Sequence, residues 1–172
     1  MKQFLFKLVG IIVKVIKALL YFVTTVILLG LILVLLKPSI VFSNSVFNEF
    51  LYRITYLHAI IVLVAAILIQ IAIIYFLTKL ELLLNNFSKD IFFTADNRYI
   101  LNKMLVALVA WTIIQFLTSL ILNYLNLYEV SDIFNFNIKN YLINFIFIGT
   151  IYTFRVIVNY GINKQEEYDQ II

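Results

Sequence analysis

The chain has 172 residues, of which 64% are hydrophobic and 13% charged, and its mean hydropathy is +1.04. Those values exclude an ordinary water-soluble domain, in which about 25% of residues are charged. Cysteine is absent, which rules out a disulfide framework, a thiolate metal site and a cysteine nucleophile. The net charge of +4 sits at the ends of apolar runs and not in one basic patch, so no nucleic-acid partner is expected. A bilayer core about 30 Å thick takes about 20 apolar residues per helix, so four crossings nearly exhaust this length.

Over residues 1–17, Lys7, Lys14 and Lys17 share one arc of a helical wheel while Leu5, Leu8, Ile12 and Ile16 gather elsewhere. This is a basic amphipathic lead-in whose lysines extend to lipid headgroups. No small-residue cleavage site follows it, so the first span reads as its own uncleaved insertion signal. That span, about 18–36, carries no charge and is ended by Lys37 and Pro38. The next loop holds Phe42, Phe47, Phe50 and Tyr52, aromatics that settle at a membrane surface.

A second crossing covers about 54–78 and is interrupted by His58 and Gln70. A metal site needs several converging ligands, and none lies near His58 on the helix, so His58 reads as an interfacial residue. The stretch that follows, 79–103, is KLELLLNNFSKDIFFTADNRYILNK, and it links two helical hairpins. Leu80, Leu83, Leu84, Phe87 and Ile91 recur at helical spacing, so the second helix continues past the membrane. Thr94 is positioned to cap a new helix by accepting from the amide of Asp96 or Asn97, with Asp96 at the positive end of the helix dipole.

The third crossing, about 104–125, carries Thr112, Gln115, Ser119 and Asn123 along one side. An unpaired amide in hydrocarbon is costly, so this stripe is expected to bond to other helices, with a solute path as the alternative. The second outer loop contains Tyr128, Phe134, Phe136 and Tyr141 beside Glu129 and Asp132, without the spacing of a calcium loop. The fourth crossing, about 142–160, holds one charge, Arg155, near enough to its end to anchor at headgroups. Gly161 is then a plausible helix stop, and 161–172 a polar tail.

Ten lysines and arginines fall on the side of the termini and linker, against Lys37, Arg53 and Lys139 on the other. The positive-inside rule therefore predicts cytoplasmic termini and a cytoplasmic linker. The fold class expected is an all-α, integral membrane four-helix bundle made of two hairpins of the same orientation. Frequent Ile, Asn, Lys, Tyr and Phe suggest an AT-rich bacterial coding sequence, and hence a bacterial cytoplasmic membrane. No GxxxxGK[ST], GxSxG or HExxH motif occurs, so neither an enzyme activity nor a cofactor is expected. Neither half carries the paired Gly or Pro breaks of a transporter.

The opening of the third helix, with Phe93, Thr94, Asn97 and Leu101, and the ending, with Tyr160, Gly161, Gln165, Glu166, Glu167, Asp169 and Ile172, resemble one family. It is a family of small four-span bacterial membrane proteins filed under domain of unknown function 2975. Lys164 and Ile171 stand where that family's pattern has Leu and Thr. The resemblance implies a fold and a membrane location, and partners among small regulators or peptide-antibiotic systems.

The expectation is a noncatalytic membrane module in contact with the lipid bilayer and a protein partner. Phe93, Thr94, Asn97 and Arg98, with Glu166, Glu167 and Asp169 of the tail, form the candidate partner surface, and the tail acids are placed to approach Arg98 or Lys103. An immunity or export accessory for a membrane-active peptide is the alternative. A small channel using the stripe comes third.

Overall fold

The computed structural model describes residues 2–36, 56–125 and 138–169. The aromatic loop residues from Phe42 to Tyr52 and from Tyr128 to Phe136 lie outside the described residues, as do Pro38 and the acids Glu129 and Asp132. Four helices account for the described chain: α1 (Lys2–Leu36), α2 (Tyr56–Ser88), α3 (Ala95–Tyr124) and α4 (Ile138–Asp169). All four are long and apolar enough to cross a membrane. In hydrocarbon a helix satisfies its own backbone, which makes it the natural element for sequences such as these. The protein is a multi-pass, all-α membrane protein with the four-helix architecture expected from its sequence.

The helices pack in chain order, α1 on α2, α2 on α3 and α3 on α4. α3 is the centre of the assembly. Its Ile100, Leu101, Met104 and Leu108 form a core with Leu83 of α2 and with Ile151 and Val158 of α4. A second cluster joins Ala65 and Ile69 of α2 to Leu122 of α3. By contrast α1 turns Leu19, Phe22, Leu29 and Leu36 outward. Lipid tails are as apolar as leucine, so such exposure costs little, and helix association rests on close packing and interhelical hydrogen bonds.

Polar links set the register between successive helices. The Thr24 hydroxyl of α1 shares its proton between the Leu20 carbonyl (2.8 Å) and Gln70 Oε1 of α2 (2.7 Å). Lys17 Nζ lies 2.8 Å from Glu81 Oε2, and Lys14 Nζ 3.6 Å from Glu81 Oε1. Asn86 of α2 donates to Asn97 of α3 (2.7 Å). Between α3 and α4, Asn144 Nδ2 donates to Gln115 Oε1 (2.9 Å) and the Tyr141 hydroxyl to Ser119 Oγ (2.9 Å). Followed along the antiparallel helices, these links bring Lys17, Glu81, Lys103 and Arg155 to one level. From that level to the far end, each helix has about 25 to 38 Å of length, enough to cross a bilayer core about 30 Å thick.

The helices exceed the spans read from the sequence. α1 is continuous from Lys2, so the basic lead-in and the first crossing are one rod, and Lys14 and Lys17 pair with Glu81 where lipid headgroups had been expected. Tyr141, read as a loop aromatic, is buried in the first turns of α4. Gly161 does not stop α4, which runs on to Asp169 and makes most of the expected polar tail helical.

Core truncation is expected to separate α3 from the lipid-facing surface. Met104→Ala and Leu101→Ala, at 0% and 1% exposed, should each lower stability by about 2–5 kcal/mol in detergent unfolding. Val106→Ala, on the outward side of α3, should leave the midpoint nearly unchanged, and equal losses at all three positions would refute α3 as the packed centre.

Candidate functional site at the linker end

The sequence between α2 and α3 folds into a closed polar turn. Asp90 adopts φ 59°, the left-handed conformation that Asp tolerates better than most residues. That conformation lets the amides of Asp90 and Ile91 reach back to the carbonyls of Phe87 (3.1 Å) and Asn86 (3.1 Å), the hydrogen-bond pair that closes a Schellman helix end. Thr94 then caps α3, its hydroxyl accepting from the Asn97 amide at 3.3 Å. The cap expected from the sequence is present.

Asn97 closes the turn. Its Nδ2 donates to the carbonyls of Ile91 and Phe92, both at 2.9 Å, and its Oδ1 accepts from Asn86 Nδ2. The side chain is wholly buried. Asn97 is therefore a structural clasp, and the expectation that it contributes to a partner surface is corrected. Every hydrogen-bonding atom of its amide faces the turn, leaving none for an outside group.

Phe93 has a comparable role. A Cβ on Gly161 would collide with the Phe93 ring, so Gly161 serves as a notch on α4 that admits the aromatic ring of the turn. The glycine that looks like a helix terminator in the sequence is a site of close approach. Phe93 remains partly exposed. It thus joins the turn to α4 while keeping one edge open.

Arg98 meets α4 by a different contact from the one expected. Its Nη1 donates to Asn159 Oδ1 at 3.0 Å. Glu167 is held by Lys164 of its own helix at 2.6 Å. Lys103 lies over the Tyr99 ring, 5.1 Å from its centroid. Among the described side chains the expected pairing of tail acids with Arg98 or Lys103 is replaced by Arg98–Asn159 and Lys164–Glu167, as α4 continues past Gly161 as a helix. Glu166 is exposed. The side chain of Asp169 lies outside the described residues.

The polar stripe on α3 divides by depth. Gln115 and Ser119 are buried and bond Asn144 and Tyr141 across the α3–α4 interface. Ser119 also donates to the Gln115 carbonyl at 2.9 Å. Thr112 donates to the Leu108 carbonyl of its own helix at 2.8 Å. Asn123 is exposed, since Tyr141 is already opposite Ser119 and α4 begins only three residues earlier, at Ile138. The sequence reading missed Asn144 and Tyr141 as the donors that meet the stripe. Asn144 carried a usable signal, being an amide early in an apolar span.

Among the described residues, no group of three or more His, Asp or Glu side chains could hold a metal ion. Comparison of the chain with protein-family models, with curated proteins and with solved structures found no match.

Asn97→Leu removes three side-chain hydrogen bonds while keeping most of the volume. It should destabilise the protein by about 2–4 kcal/mol and open the 89–94 turn to protease. The double variant with Asn86→Ala should lose less than the two single losses combined. Strict additivity in detergent unfolding would show that the two asparagines do not act together.

Proposed function

We propose that this protein is a noncatalytic membrane module of a bacterial cytoplasmic membrane, with the linker end on the cytoplasmic side, where a protein partner meets it. The observation that carries the reading is the distribution of polar groups. At membrane depth, Thr24, Gln70, Gln115, Ser119, Tyr141 and Asn144 bond to one another across helices. That pairing makes the spans a scaffold. Among the described residues, groups open to a macromolecule at the linker end include Glu166, the Lys164–Glu167 pair and the edge of Phe93 on neighbouring turns. The motif resemblance, which places Phe93, Thr94 and Glu166 together in one family pattern, supports the same surface.

A second reading, accessory to immunity against or export of a membrane-active peptide, draws on a separate feature. A groove of ≈ 530 Å³ opens at the same end, lined by Phe6, Leu84, Phe87, Phe92, Phe154 and Ile157 among other residues, all of them apolar. An apolar peptide segment suits such walls.

One crosslinking experiment separates the two. A photoreactive residue at Glu166 in living cells should yield a discrete heavier protein adduct that Glu167→Lys diminishes, while the same probe at lipid-facing Ile143 should yield none. An adduct formed only from a probe at Ile157, and only when a membrane-active peptide is supplied, would favour the second reading. Identical patterns at all three positions would contradict both.

A further inference from the structure

We infer that a cleft between α3 and α4 at the linker end binds a phosphate group. The cleft has a volume of ≈ 490 Å³ and is lined by Arg98, Asn102, Tyr152, Arg155 and Asn159 together with Val156. Two guanidinium groups therefore face one space from two helices, and no carboxylate is among the residues that line it. Arg98 uses one of its donors on Asn159, which leaves most of a five-donor fork available. Arg155 makes no hydrogen bond or ion pair with any described residue, and it is half-buried. Two like charges held together beside a membrane repel each other unless an anion enters between them.

Phosphate is the anion that this lining fits. Guanidinium forks match its oxygens in pairs and are more weakly hydrated than lysine, so they give up water readily to a phosphate oxygen. Asn102 and Tyr152 add neutral donors on the same walls. The register of the helices places Arg155 level with Asn102 and Lys103, beside the level of the Lys17–Glu81 pair. A bilayer core beginning at that level would set its lipid phosphates beside the cleft. An anionic phospholipid would enter from the bilayer and a free phosphate from water, and both would present the same oxygens. The inference is independent of the partner surface, which rests on Glu166, Glu167 and Phe93.

The test uses the purified full chain. In mixed micelles, native mass spectrometry should show phosphatidylglycerol retained about tenfold over a glucosyl-diacylglycerol with the same acyl chains, as charge-assisted hydrogen bonds imply. Arg155→Gln should abolish the preference. Asn159→Asp should weaken it severalfold, since the new carboxylate still accepts from Arg98 while cancelling one of the cleft's two positive charges, and an unchanged melting temperature for this variant separates lost binding from lost folding. Lys164→Gln, which removes one positive charge elsewhere at the same end, should leave the preference intact. In a second arm, millimolar inorganic phosphate is tested for protection of Arg98 and Arg155 from phenylglyoxal. Protection without lipid preference upholds the site and assigns it to a soluble phosphate. Neither preference nor protection, or equal loss in Lys164→Gln, overturns it.

Discussion

An amide or hydroxyl group in hydrocarbon has no water to bond, so it must find its partner inside the protein. In this chain that constraint organises the assembly. Thr24 with Gln70 fixes α1 against α2, and Gln115 with Asn144 and Ser119 with Tyr141 fix α3 against α4. Asn86 with Asn97 does the same for α2 and α3 at the linker end. Apolar packing alone would let smooth helices slide past each other at small cost, because every position presents similar aliphatic surface to lipid and neighbour alike. The polar pairs remove that freedom, since sliding by one turn would separate donors from acceptors in a medium that cannot replace them.

A fixed register has a consequence for where the protein can be addressed. It aligns Lys17, Glu81, Lys103 and Arg155 at one level and places the α2–α3 turn, the end of α4 and the start of α1 beyond it. The turn is rigid because Asn97 binds two of its carbonyls and Gly161 receives the Phe93 ring. The proposed partner contact rests on this closed, charged end above an internally bonded scaffold. The partly exposed ion pairs there add only about 0–1 kcal/mol each to stability, so Glu166, Glu167 and Lys164 are free to serve a contact without endangering the fold.

Much of this was legible in the sequence, and the limits have physical causes. Four long apolar runs announced four helices, and Thr94 announced its cap, because both depend on local sequence. Gln115 and Ser119 were expected to face another helix, since the medium demands it of any amide or hydroxyl at that depth. Asn123 shares their side of α3 yet is exposed, because α4 has barely begun at that level. The Lys17–Glu81 pair was hidden, as it requires the register of α1 on α2, though Glu81 is the one acid on either helix. Gly161 was misleading: a glycine before a polar tail resembles a helix stop, and only the position of Phe93 from a distant part of the chain shows it to be a notch. Asn97 looked like part of a surface because two of its three partners are backbone carbonyls, which carry no sequence signature.

The common level of the charged groups is the most direct test of the register. The chain has no cysteine, so single cysteines can be placed at outward-facing positions and reacted in membranes with an impermeant maleimide. Cysteines at Asn85, Tyr99 and Tyr160 should react, all from the same side, while those at Ile71, Val109 and Phe147 should be protected. Reaction at 109 or 147 comparable with that at 99 or 160, or labelling of 85 and 160 from opposite sides, would contradict the shared boundary and the polar pairing that sets it.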